Sequence, residues 1–153
     1  THLLALHACQ RAISKNSKVV DHDDLDFAIS MAVEKAYQSI LTGYHKAISS
    51  ARQTIYAPVL LSCALAKKDD LGFFAPADVQ KPMSLIMEKE YRVPNFSRHL
   101  NDFSEEARGP ILIKRGVPRN YRYRFVNPMM QPYVIMNGLA NNLLMPDVLQ
   151  ELQ

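Results

Sequence analysis

The chain has 153 residues, 48% of them hydrophobic and 22% charged, with a formal net charge of +3. A hydrophobic share of that size makes disorder a poor default, and the length suffices to bury a core in one domain or two small ones. No segment approaches the roughly 20 apolar residues needed to span a bilayer and the first residues lack a signal-peptide pattern, so a cytoplasmic protein with no membrane partner is expected.

Leu3, Leu6, Cys9 and Ile13 recur at helical spacing and predict a first helix over about residues 3 to 14, with these four as its apolar stripe. Because this helix opens with no preamble, the chain is expected to be a fragment of a longer product. The polar run from Ser14 to Lys18 ends the helix. Asp21 then caps a second helix, its carboxylate accepting from the first-turn amides, with Asp24 at the capping-box distance. Leu25, Ala28, Ile29, Ala32, Ala36 and Ile40 carry that helix to about Ser39 and on toward Ala47. An interruption is expected near Gly43, since glycine weakens a helix by about 1 kcal/mol relative to alanine.

Pro58 fits the first turn of another helix, whose apolar side is Val59, Leu60, Cys63, Ala64 and Leu65. Lys67 to Asp70 end it, Gly72 reverses the chain, and Phe73 and Phe74 form a short extended segment. Pro76 opens a helix carrying Val79, Met83, Ile86 and Met87, which Pro82 bends or divides. A further helix over about 95 to 107 places Phe96, Leu100, Phe103 and Ala107 on one face, and Gly109 and Pro110 stop it. Ile111 to Ile113 read as a strand, and Tyr121 to Val126 as a second whose Tyr121, Tyr123 and Phe125 face the core while Arg122 and Arg124 point away. Pro128 opens a last helix through Tyr133, Val134 and Met136, limited by Pro146.

The fold class is therefore mainly α with a small β-hairpin. Three helices followed by a hairpin give the order of a winged helix, with 94 to 107 in the recognition-helix position and 115 to 120 as the wing. The pattern also fits another small α+β arrangement. Cys9 and Cys63 sit in helical stretches without close-spaced partners and read as buried thiols, neither a disulfide framework nor a zinc site. The five histidines make no catalytic or ligand spacing and read as structural.

Charge is distributed unevenly: five basic and five acidic residues over 1–50, seven and eight over 51–107, six and two over 108–153. Arg108, Lys114, Arg115, Arg119, Arg122 and Arg124 follow one another with no acidic residue between them, a pattern suited to phosphate contact. The bland reading makes Arg122 and Arg124 the solvated face of an edge hairpin, or pairs them with acidic residues on a neighbouring domain of a longer protein. On the helix before the hairpin, Arg98 and Asn101 are candidate base-edge or partner contacts, opposed by Asp102, Glu105 and Glu106, whose charge repels a phosphate backbone.

The sequence resembles the C-terminal region of bacterial AAA-type ATPases related to the archaeal Orc1/Cdc6-like initiators. The likeness runs through Val20-Asp21-His22-Asp23-Asp24-Leu25, Leu61-Ser62-Cys63-Ala64-Leu65-Ala66, Phe96-Ser97-Arg98-His99-Leu100 and Tyr123-Arg124-Phe125-Val126-Asn127-Pro128. It implies AAA lid helices and a linking helix over 1–50, then a winged-helix domain with a C-terminal helix over 51–153. The resemblance also implies an upstream ATPase core of the same protein as a partner. The expected function is that of an accessory module mediating protein contacts within the ATPase assembly, with double-stranded DNA contact by the basic wing around Arg115 and Arg119 as the alternative; a further protein partner or a homo-oligomer completes the expected set. The chain has no Gly-rich phosphate loop ending in Lys-Ser or Lys-Thr and no strand ending in an acidic pair, so no catalytic residues and no cofactor are expected in it. ATP and magnesium are expected only for the full-length parent. The arginine that such lids often offer to nucleotide would fall at Thr1 or His2, and Arg11 lies too far along the helix to inherit the role.

Overall fold

The computed structural model describes residues 2–34, 38–50 and 54–152. Among them the architecture is mainly helical with one small antiparallel sheet: α1 (His2–Ser14), α2 (His22–Glu34), α3 (Gln38–Ile48), α4 (Tyr56–Leu65), α5 (Gln80–Ile86), α6 (Val93–Asp102), β1 (Leu112–Arg115), β2 (Arg122–Phe125), α7 (Met130–Ala140) and α8 (Pro146–Leu152).

α4 is the centre. Val59, Leu60, Leu61, Ser62, Cys63 and Ala64 are all buried, as expected of a helix that is apolar around its whole circumference. The hydroxyl of Ser62 is satisfied within the helix by donating to the Pro58 carbonyl at 2.8 Å. Around α4 the core collects Ile40, Tyr44 and Ala47 from α3, Met83 from α5, Phe96 and Leu100 from α6, and Tyr133 and Val134 from α7. Lys68 closes the end of α4, its ammonium donating to the carbonyls of Cys63, Ala64 and Ala66 at 3.2, 2.8 and 2.9 Å.

The sheet is held from both ends. Leu112 pairs with Phe125, Ile113 with Arg124, Lys114 with Tyr123 and Arg115 with Arg122. Phe74 adds one isolated bridge on the other side of β2, exchanging both backbone bonds with Tyr123 at 2.9 Å. The Phe103 carbonyl at the end of α6 accepts from Ile111 and Leu112, which fixes that helix to β1. Alternation along β2 buries Tyr123 and Phe125 and leaves Tyr121 half-buried, while Arg122 is exposed and Arg124 half-exposed.

Several expectations are corrected. Leu6, Cys9 and Ile13 are exposed, and the buried face of α1 is His7, Ala8 and Ala12, packed on α2, which buries Asp24, Ala28 and Ala32. Alanine faces let two helices approach closely, a signal invisible to a count of large apolar side chains. Leu3's side chain lies outside the described ones. α2 is described as far as Glu34 and α3 from Gln38, and Ala36 and the junction at 35–37 lie outside the described residues; the expected interruption near Gly43 is absent, since α3 runs through it. Burial of Ile40, Tyr44 and Ala47 outweighs the intrinsic cost of the glycine. α6 stops at Asp102, and the chain continues through a 3-10 turn, Glu106–Arg108, that leaves Ala107 exposed. Pro76 opens a separate 3-10 turn, Pro76–Val79, and Pro82 lies in the first turn of α5, where its missing amide costs no bond. Pro146 does not only limit α7; it starts α8.

The cap expected at Asp21 is present and reciprocal: the Asp24 amide donates to the Asp21 carboxylate at 2.8 Å and the Asp21 amide to the Asp24 carboxylate at 3.2 Å. The ion pairs of Asp24 with Arg11 and Lys15 are not legible in the sequence. The Asp24 side chain is fully covered, and Lys15 Nζ lies 2.7 Å and Arg11 Nε 3.6 Å from it. The Lys15 contact holds the Asp24 carboxyl below the usual carboxylate range against the opposing effect of burial.

Candidate nucleic-acid interface

The eight candidate contact residues separate by what each side chain touches. Arg108 donates from one guanidinium nitrogen to the carbonyls of Ala47 and Ser49 at 2.8 and 2.7 Å, and its plane lies 3.6 Å over the Tyr56 ring. It therefore caps the C-terminal end of α3 and is spent on the fold. Lys114, on the inner face of β1, donates to Asn101 Oδ1 at 2.7 Å and rests 3.8 Å over the Tyr121 ring. Asn101 also accepts from the Tyr123 hydroxyl at 3.1 Å, so it ties α6 to the hairpin.

The outer face of the hairpin is arranged differently. Phe73, next to the bridging Phe74, forms a platform beneath Arg124 and Arg115, whose guanidinium carbons lie 4.8 and 5.6 Å from the ring centre. Arg124 also reaches the Leu71 carbonyl at 3.3 Å, and Arg122 lies 3.5 Å from Asp69. Asp69 is itself occupied by the amides of Leu71 and Phe73, which it accepts at 3.0 and 2.9 Å to hold the turn. Arg115 and Arg119 have no hydrogen bond or ion pair among the described residues.

The loop between the strands is a built turn. Gly116 has φ +98°, and a side chain there would place Cβ 2.3 Å from the Asn120 carbonyl oxygen, so only glycine fits. Asn120 donates to the Val117 carbonyl at 2.9 Å across Pro118 and Arg119. Arg119 itself has φ +72°. Proline followed by a left-handed residue is the type II pattern, in which glycine or asparagine normally takes the position held here by arginine.

On α6, Arg98 is exposed and lies 3.9 Å from Asp102. Asp102 is further engaged by the Tyr56 hydroxyl, which donates to it at 2.6 Å. His99 packs edge-on to Tyr56, and burial pushes its pKa below the usual value, so it adds no cation at neutral pH. Glu105 and Glu106 are exposed but lie beyond the end of the helix. Arg98 is thus an exposed cation in the second half of α6 with Asp102 one turn on, and Glu105 and Glu106 follow the helix. Sequence reasoning missed the internal roles of Arg108, Lys114 and Asn101, because nothing in the run of basic residues distinguishes a cation bound to a carbonyl from a free one.

Among the described residues no helix is long and apolar enough to cross a membrane, and no group of three His, Cys, Asp or Glu side chains could hold a metal ion. No family model matches the chain, and no curated protein or solved structure matches it significantly.

Proposed function

We propose that the chain is an accessory module of an AAA-type ATPase whose winged helix, α4 to β2 with α7 behind it, holds duplex-DNA phosphates through its hairpin. The order helix, extended Phe74, helix, helix, hairpin supports the winged-helix reading, with Phe74 as the minimal third strand on β2. The observation that carries the contact is the pair Arg115, at the end of β1, and Arg119, on the loop that follows, with no acidic partner among the described residues and with Arg122 and Arg124 beside them on β2. Phosphate contacts of this kind position a protein on DNA without reading sequence. In this reading α1 and α2 belong to the lid and α3 links it to the winged helix. The exposed Leu6, Ile13 and Val19 support a protein contact there, with the upstream ATPase core as partner. The reading assigns no catalytic step to this chain; ATP and magnesium belong to the full-length parent.

A titration of the chain with a short duplex of arbitrary sequence, followed by backbone amide shifts, tests the contact. Perturbations are expected at residues 115–122 and at the first turns of α6. Shifts confined to α1 and α2, or no binding at low salt, would move the hairpin to a protein-contact role.

A further inference from the structure

A groove of about 520 Å³ lies away from the hairpin, between α2 and the α7–α8 corner. Leu25, Ile29, Leu139, Leu144, Met145 and Leu149 give it an apolar lining. Leu25 and Met145 are 42% and 55% exposed, a high value for side chains of this type in one contiguous depression. It shares no residue with the candidate nucleic-acid interface.

The charge around the groove has one sign. Residues 22–34 contain Asp23, Asp24, Asp26 and Glu34 with no lysine or arginine, and residues 125–152 contain Asp147 and Glu151, again with none. Asp24 is consumed by Lys15 and Arg11, but Asp23, Asp26 and Asp147 are exposed, and Asp26 lines the groove. Among the described residues, the lysine bonded to α8 is Lys81, which donates to the Glu151 backbone carbonyl at 2.7 Å. The walls are α2, α7, α8 and the turn between the last two, and none of them offers a strand edge to an extended peptide. A ligand that satisfies its own backbone is therefore favoured, and helix-in-groove docking does this with apolar anchors on one face.

We propose that this groove receives an amphipathic helix of a partner protein, with an apolar stripe flanked by lysine or arginine. A second copy of this chain fits less well: its α1 exposes Leu6 and Ile13, but the cations of that helix, Arg11 and Lys15, are committed to Asp24. The proposal stands independently of the DNA reading, since it concerns other residues.

The test is a titration of the whole chain with a helical Leu/Lys peptide of about four turns, with a Leu/Glu peptide of equal length as control. Amide shifts at Leu25, Ile29, Leu139 and Leu149 are expected with the first peptide and none with the second. The variant Asp26→Lys/Asp147→Lys should weaken binding about tenfold, with a steep salt dependence in the parent chain. Leu25→Ser/Met145→Ser, which alters only exposed side chains, should weaken it comparably while leaving the melting curve and duplex binding unchanged. Equal binding of both peptides, shifts outside the groove, or indifference to both variants would overturn the proposal. So would concentration-dependent dimerisation of the chain that the groove variants abolish, which would assign the surface to a second copy.

Discussion

Arg108 and Arg119 carry the same side chain in different settings. The first is fixed by two carbonyls and an aromatic face; the second stands on a turn whose backbone disfavours it. A left-handed L-residue costs about 1–2 kcal/mol, and glycine's freedom in the unfolded chain gives back about 0.4–1 kcal/mol of any gain. Arg119→Gly should therefore stabilise the chain by roughly 0.5–1 kcal/mol while weakening duplex binding. Arg108→Ala should do the reverse, losing about 1–3 kcal/mol of stability with the salt dependence of binding intact. Denaturant melts and salt titrations of the two variants side by side check the contrast. Equal loss of binding in both would mean that the local contacts of Arg108 do not decide its role.

At the scale of elements, period carried the reading as far as burial and no further. The alternation of Tyr121, Tyr123 and Phe125 is legible because β2 has one buried face, and Phe96, Leu100 and Phe103 are legible because α6 does. Replacing Phe125, which is 4% exposed, by alanine should cost about 3–5 kcal/mol in chemical denaturation; a loss under ~1 kcal/mol would place it outside the core. α1 was misread because its packing face consists of Ala8, Ala12 and His7 while the larger Leu6 and Ile13 face outward. The buried Asp24 was hidden for another reason: its partners Lys15 and Arg11 come from the preceding helix, so the contact depends on how the two helices meet. Its pKa is lowered in the folded chain, chiefly by Lys15. The carboxylate thus adds stability above the ordinary carboxylate range, and that contribution is lost as pH falls through the folded-state value. Asp24→Asn should lower stability at neutral pH and narrow the gap to the parent chain under acid. A gap that stayed constant across the acid titration would contradict this linkage.

The whole molecule separates its charge. Every lysine and arginine beyond residue 107 lies between Arg108 and Arg124, while the α2 and α7–α8 segments hold only acids among their charged residues. The excess on the hairpin was legible from the sequence, since it needs only a count along the chain. Which cations are free was not, because Arg108 and Lys114 are consumed by carbonyl and amide groups from α3 and α6. The central claim is that Arg115 and Arg119 are the cations left to hold phosphates. Its most direct test is the slope of log K against log salt for duplex binding, compared between the parent chain and Arg115→Ala/Arg119→Ala. Each phosphate neutralised contributes about 0.9, so the double variant should reduce the slope by about 1.8 with two unrelated duplexes alike. An unchanged slope would contradict the account.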